Sequence, residues 1–320
     1  MDIGGLLKRT AKLLSKIVSL LPESFVRMLA ESFGLLLWLF WVKERLRLKR
    51  EIDRIYFRMR QKPPMPVDLI VKRTFIHFAY VFFDFLRIPA YSFNDFKSKF
   101  SIEGLKEILD EHVNNGKGLI FVLPHIGNWE LLGAFLAHGG YPLNSFYMAQ
   151  KEDLIGELIE YFRSFTKIRL HDRDRGLAGA YRALLKGGFL AMIADQDGSD
   201  AGVYMDFLGH WVSVPPGPAN WSIKAKVPIY LIYSLRKPGT FTYEGKIFKL
   251  DYEDLEGLSH QEAVIKVTQI MAQKMERIIL EYPDNYLWFY DRFKPRHEAK
   301  IAKYRQERGQ MTEGVPQYGL

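Results

Sequence analysis

From about Gly104 the chain alternates short apolar runs with stretches of helical spacing. GLIFVLP (Gly118–Pro124) is an apolar run bounded by turn residues, the pattern of a buried strand. A helical pattern follows to His138 and stops at Gly139-Gly140. NSFYMA is a second predicted strand. Asp153–Phe165 and Gly176–Leu185 are predicted helices, and GFLAMIAD (Gly188–Asp195) is a third buried strand. PIYLIYSL and TFTYEGKIFKL read as strands joined by the turn Lys237-Pro238-Gly239. Ser259–Glu281 is a long helix, with Ser259 as N-cap and Glu262 completing a capping box. Strands alternating with helices predict an α/β sheet carrying helices on its faces.

Before Phe100 the pattern is mostly helical. Leu6, Leu7, Leu13, Leu14, Ile17, Val18 and Leu21 fall near helical spacing, with Lys8, Arg9, Lys12 and Lys16 between them. FGLLLWLFWV (Phe33–Val42) is ten apolar residues, short of the roughly 20 that a spanning helix wants. It suits an interfacial or shallowly inserted helix at least as well as a span. QKPPMP (Gln61–Pro66) is a breaker. TFIHFAYVFFDFL (Thr74–Leu86) is dense in aromatics and is predicted as a core helix rather than a wall for lipid chains. Three parts are expected: membrane-associated helices and a basic segment over 1–62, an α/β domain over 63–296, and a polar tail over 297–320.

Composition fits this picture. Of the 320 residues, 48% are hydrophobic and 26% charged, enough for a sizeable core. There are no cysteines, which excludes disulfides, thiolate metal sites and a cysteine nucleophile. The net charge is +8, and Lys43–Lys62 holds nine basic and three acidic residues, a net +6. Basic charge directly after an apolar run with two Trp favours an anionic membrane surface and a cytoplasmic flank. A cleaved signal peptide does not fit, because the basic cluster lies on the wrong side of the apolar run. No helix-turn-helix, finger or RNP-like pattern is present, so nucleic acid is not expected as a partner.

The candidate chemistry lies in FVLPHIGNWELLG (Phe121–Gly133). Five helical residues separate two side chains by about 140°, so His125 and Glu130 converge only if His125 sits on the turn before the helix. Asn128 as N-cap would place Glu130 in the first turn, and the pair would stand at the carboxyl end of a strand. A neutral imidazole there can take a proton from a hydroxyl, with a carboxylate fixing its tautomer. No G-x-S-x-G elbow and no H-E-x-x-H is present, so neither a serine nucleophile nor a metal site is expected. HDRDRG (His171–Gly176) is charge-rich, and Arg173 and Arg175 are suited to a sugar phosphate. By spacing alone, a capped helix with a loop histidine fits as well as catalysis does.

The longer strings carry a resemblance. PHIGNWE, ALLKGGFLAMIADQD (Ala183–Asp197), GVYMDFLGHWVSVPPGPANWSIKAKVPI (Gly202–Ile229) and NYLWFYDRFKPR (Asn285–Arg296) resemble, in order, four blocks of the late acyltransferases of lipid A biosynthesis. That family also includes phosphatidylinositol mannoside acyltransferases. The resemblance implies a glycerol-3-phosphate-acyltransferase-like fold: a mixed α/β sheet with helices on its faces and an N-terminal membrane-anchoring segment. It implies acyl transfer from an acyl carrier protein or acyl-CoA thioester to a hydroxyl of a membrane glycolipid, such as a lipid A precursor, without a cofactor. The place implied is the cytoplasmic face of the bacterial inner membrane. His125 matches the general base, Glu130 its partner, Arg163 the downstream arginine and Asp195 the site aspartate; Asn128, Arg163, Arg173, Arg175 and Asp195 are the expected substrate-binding residues. Two rivals are a hydrolase of the same shape and a non-catalytic lipid-binding protein of the membrane surface.

Overall fold

The computed structural model describes residues 3–147, 154–173, 175–252, 254–290 and 292. The N-terminal layer holds α1 (Ile3–Leu20), α2 (Glu23–Phe40), α3 (Val42–Arg58) and α4 (Val67–Arg87). Then come α5 (Phe93–Lys99), β1 (Phe100–Ile102), α6 (Leu105–Asn114), β2 (Leu119–Leu123), α7 (Trp129–His138), β3 (Leu143–Tyr147), α8 (Leu154–Arg163) and β4 (Arg169–Asp172). The remainder is α9 (Leu177–Leu185), β5 (Phe189–Ile193), β6 (Val203–Phe207), β7 (His210–Val214), α10 (Gly217–Ala225), β8 (Ile229–Arg236), β9 (Tyr243–Lys249) and α11 (His260–Glu281).

Seven strands form one sheet in the order β1-β9-β8-β2-β5-β3-β4. The five from β8 to β4 are parallel; β9 runs antiparallel to β8 and pairs in parallel with β1. β2 is buried at every position, as a strand covered on both faces must be. Leu119, Phe121 and Leu123 pack with α6 and α7 on one face. Ile120 and Val122 pack on the other with α9, α10, α11 and the buried side of α3. The mixed α/β sheet expected from the alternating pattern is therefore present. Ser259 caps α11 in a capping box with Glu262, as its sequence predicts.

Some elements escape the apolar pattern. IRLHD becomes β4 although it is charged, because it pairs with β3 at the sheet edge, where only His171 need be buried. β6 and β7 form a separate antiparallel hairpin. The helix predicted from Asp153 is α8, beginning at Leu154; Asp153, with Met148 and Ala149 of the predicted second strand, lies outside the described residues, as does the predicted tail from 297.

The first three helices are fastened to the rest. Val26, Ala30 and Gly34 form the buried stripe of α2. A Cβ on Gly34 would stand 2.6 Å from Ile76 Cα, so only glycine lets α2 lie this close to α4. Tyr56 of α3 donates to Leu280 O at 2.7 Å, and Arg47 to Trp288 O at 2.9 Å. α4 is core, with Phe75, Ala79 and Tyr80 fully buried. The opposite face of α2 is apolar and open: Phe25, Met28, Leu36, Leu39 and Phe40 are exposed, as are Leu13, Ile17 and Leu20 of α1. Among the described residues no single helix is long and apolar enough to cross a membrane; α2 and α3 together reach that length and composition only as a pair bent by 86°.

Candidate active site

Sheet register brings the site together. Leu123 of β2 pairs with Ile193 of β5. His125 and Asp195 each lie two residues beyond that pair, at the same level on the carboxyl edge of neighbouring parallel strands. His125 Nδ1 is 2.8 Å from Asp195 Oδ1. Asp195 is fully buried, while the His125 side chain is 14% exposed. Burial works to raise the Asp195 carboxyl, but the His125 imidazole, its hydrogen bond and the Arg292 guanidinium outweigh it and hold the group below the usual carboxylate range. An ionised carboxylate only accepts, so a neutral His125 donates from Nδ1 and keeps its lone pair on Nε2. This is the tautomer a general base needs.

The C-terminal segment clamps the turn from the other side. Tyr286 donates to Asp195 Oδ2 at 2.8 Å. Leu287 N donates to His125 O, and Gly127 N to Asn285 O, each at 2.9 Å. Gly127 has φ +65°, and a Cβ there would fall 1.6 Å from Ser234 O. No other residue fits that turn.

Asn128 is the N-cap of α7, as predicted: its Oδ1 accepts from Leu131 N at 3.0 Å. Its Nδ2 donates to Tyr243 OH at 3.1 Å and Asp84 Oδ2 at 3.3 Å. Asn128 is 1% exposed. Both ends of its amide are thus engaged by protein groups. Backbone Trp129 N–H and Glu130 N–H stand in the first turn of α7, where a helix supplies no acceptor, and the Trp129 ring meets His125 edge-on at 4.9 Å.

Glu130 does lie in the first turn, but it does not hold His125. Its carboxylate forms a two-pronged ion pair with Arg163 of α8, through Nη2 and through Nε at 3.1 Å. Burial works against the Arg163 charge, yet Glu130 more than compensates and raises its pKa. The second position of α7 brings Glu130 to Arg163 of α8, and His125 Nδ1 bonds Asp195 instead. Sequence spacing pairs His125 with Glu130; the carboxylate that bonds its ring is Asp195, 70 residues away and expected only as the site aspartate.

A cleft of about 840 Å³ opens at this edge. Glu130, Arg163, Arg173, Gln196 and Tyr290 line its polar part; Phe121, Leu132, Leu136 and Ile232 line its apolar part. Arg173 thus lines the cleft. Arg175 is exposed, and its backbone N–H donates to Asp172 Oδ1. Tyr286 and Arg292 were not singled out from the sequence as site residues, and only their place in the closing block pointed to them.

A histidine–aspartate pair thus stands at strand ends, beside an apolar cleft and an arginine. Residues 11–295 match the family described as bacterial lipid A biosynthesis acyltransferase. The chain is 24% identical over 241 residues (74% of this chain, 75% of the relative) to a phosphatidylinositol mannoside acyltransferase of Mycolicibacterium smegmatis. It is 22% identical over 234 residues (73% and 71%) to a lipid A biosynthesis acyltransferase of Haemophilus influenzae. It is 21% identical over 208 residues (62% of each) to lipid A biosynthesis acyltransferase 2 of Shigella flexneri. This chain belongs to the bacterial lipid A biosynthesis acyltransferase family, and it is an acyltransferase.

Proposed function

We propose that this enzyme moves a fatty acyl chain from an acyl carrier protein or CoA thioester to a hydroxyl of a membrane glycolipid, a lipid A precursor in the first reading. The observation that carries the mechanism is the 2.8 Å bond between His125 Nδ1 and buried Asp195, which leaves Nε2 free to act. Nε2 takes the acceptor hydroxyl proton while the oxygen attacks the thioester carbonyl. Asp195 stabilises the imidazolium. The oxyanion is met by Arg163, held in place by Glu130, or by the backbone N–H groups of Trp129 and Glu130. Collapse of the tetrahedral species expels the thiolate, which takes the proton back from His125. Arg173, which lines the cleft, holds a phosphate or sugar hydroxyl of the acceptor in this reading. A phosphatidylinositol mannoside as acceptor is the second reading, favoured by the similarity to the Mycolicibacterium smegmatis relative.

The enzyme works at a bilayer surface, with α1 and α2 lying in the headgroup region. The support is the open apolar stripe of α2, with Lys12 and Lys16 on α1 and the basic α3 beside it. In a bacterium that surface is the cytoplasmic face of the inner membrane. The test offers acyl carrier protein and CoA thioesters to the detergent-solubilised enzyme with lipid A precursor, phosphatidylinositol mannoside and phospholipid acceptors. Acylation of a glycolipid is expected. Release of free fatty acid alone would make it a hydrolase, and absence of any chemistry would leave a lipid-binding protein.

A further inference from the structure

The start of α7 is tied to a buried ion pair that acyl transfer itself does not use. Asp84 of α4 is fully buried, and Lys99, the last residue of α5, is 4% exposed. Lys99 Nζ stands 3.6 Å from Asp84 Oδ1. Tyr91 OH donates to that same oxygen at 2.8 Å. On the other side Tyr243 OH donates to Oδ2 at 2.6 Å, and Asn128 Nδ2 to Oδ2 at 3.3 Å. Burial raises the Asp84 carboxyl above its usual range, even against the pull of Lys99 and the two hydroxyls. Apolar side chains of similar volume often do as well as a buried ion pair, so stability does not account for this one.

The pair does account for the direction of the Asn128 amide. The four polar groups around Asp84 can all donate, and Lys99 Nζ and Asn128 Nδ2 can do nothing else. Asp84 Oδ2 and the Tyr243 oxygen take the two hydrogens of Nδ2, which leaves the Asn128 oxygen for Leu131 N–H at 3.0 Å. Turned the other way, the amide would set its NH2 against Leu131 N–H, and α7 would lose its cap. The cap satisfies the third N–H of α7. The first two, on Trp129 and Glu130, have no acceptor among the described residues, and both residues line the cleft.

We propose that Asp84, fixed by Lys99 and acting through Asn128, is a positioning residue for acyl transfer: it holds the first turn of α7 so that the Trp129 and Glu130 N–H groups face the acyl carbonyl. The inference rests on the acyltransferase reading of the site and adds a residue outside the cleft that sets its geometry.

The substitutions that test it move hydrogens rather than volume. In Asp84→Asn, Lys99 keeps the amide oxygen on its own side, so the new NH2 meets Asn128 Nδ2, donor against donor. Asp84→Asn with Asn128→Asp reverses the polarity of that bond, keeps a negative charge near Lys99, and leaves a cap as good as the original. Asp84→Leu with Lys99→Met removes both charges and one acceptor of Nδ2.

The first readout is hydrogen exchange at the Leu131 amide of the full-length enzyme; the second is kcat and KM for acyl transfer. Asp84→Asn should speed the exchange ~5-fold or more, the weight of one N-cap. It should lower kcat about 10-fold or more, short of the ~10²–10³-fold that loss of a whole oxyanion donor costs, with KM unchanged because the contact is made in the transition state. The exchanged pair should recover most of both losses. If Asp84→Asn does not fold, Asp84→Leu with Lys99→Met decides, with the same fall in kcat expected at an undiminished Tm. Wild-type kcat in the folded variants, or a loss that the exchanged pair does not recover, overturns the proposal. Exchange that follows this pattern in a protein that acylates no acceptor would instead overturn the acyltransferase reading and leave the hold of Asp84 on α7 standing.

Discussion

Asp195→Asn removes one negative charge and leaves the packing almost unchanged. In the wild type the carboxylate is fully buried and accepts from His125 Nδ1 and Tyr286 OH, each at 2.8 Å. An asparagine can keep both contacts only if its oxygen faces His125 and Tyr286 reverses its hydroxyl. If it turns the other way, its amide donates to Nδ1 and the proton moves to Nε2, which then cannot act as base. Even in the favourable orientation, the imidazolium formed during transfer loses its counter-charge. General base catalysis contributes about 10²–10⁴-fold, and the same substitution in a Ser-His-Asp triad lowers kcat ~10⁴-fold. A fall of 10²–10⁴ in kcat is therefore expected, about 2.7–5.4 kcal/mol in the barrier at 1.36 kcal/mol per tenfold. The assay is steady-state transfer of a radiolabelled acyl group for Asp195→Asn, His125→Ala and the double variant. Groups that act as a unit are not additive, so the double variant should be no slower than His125→Ala. Asp195→Asn within about threefold of wild type, or losses that multiply in the double variant, would refute the pairing.

Other consequences are equally direct. Glu130→Gln breaks the ion pair with Arg163 but leaves His125–Asp195 intact, so it should lower kcat without moving the acid limb of the pH profile; a shifted limb would return Glu130 to the role of histidine partner. His77 is buried beside the Arg236 guanidinium, and burial first, then that charge, lowers its pKa to about 3. The unfolded chain binds this proton below about 6.5, so the contribution of His77 to stability is complete above that value. It is lost at up to ~1.4 kcal/mol per unit as pH falls toward about 3. Urea unfolding of wild type and His77→Phe across that window should differ by this slope, and parallel curves would sink the assignment. Gly127→Ala should cost at least ~1–2 kcal/mol from its left-handed backbone alone and more from the clash with Ser234 O, read as a lowered Tm with loss of turnover. Leu36→Glu with Phe40→Glu should abolish flotation with anionic vesicles while leaving the Tm nearly unchanged; undiminished flotation would exclude the α2 stripe as the bilayer contact.

What was legible in the sequence is what local physics controls. Pro124, Gly127 and Asn128 specify a strand–turn–helix joint through neighbours a few residues apart, and the joint formed as predicted. The core helix expected over Thr74–Leu86 from its aromatic density lies within α4, which begins seven residues earlier, at Val67. The partners across the site were not legible by spacing. His125 meets Asp195 only because β2 lies beside β5 in a given register, and Glu130 meets Arg163 only because the last residue of α8 comes up to the first turn of α7. Neither adjacency is written in the segments themselves. The turn clamp by Asn285–Leu287 depends on a chain crossing after α11, and the buried cluster of Asp84, Lys99, Tyr91 and Tyr243 on charged and polar residues that composition assigns to the surface. β4 hid because edge strands need little apolar sequence.

The central claim is that His125 deprotonates the acceptor hydroxyl in a direct transfer. It is tested most directly by measuring acyl transfer to the glycolipid acceptor by wild type and His125→Ala, with vesicle binding and Tm measured on the same preparations. The account predicts transfer by the wild type, a loss of at least about 10²–10⁴-fold in the variant, unchanged vesicle binding, and a folded variant whose Tm falls because Asp195 loses its partner. Transfer that survives in a folded, membrane-bound His125→Ala would contradict it.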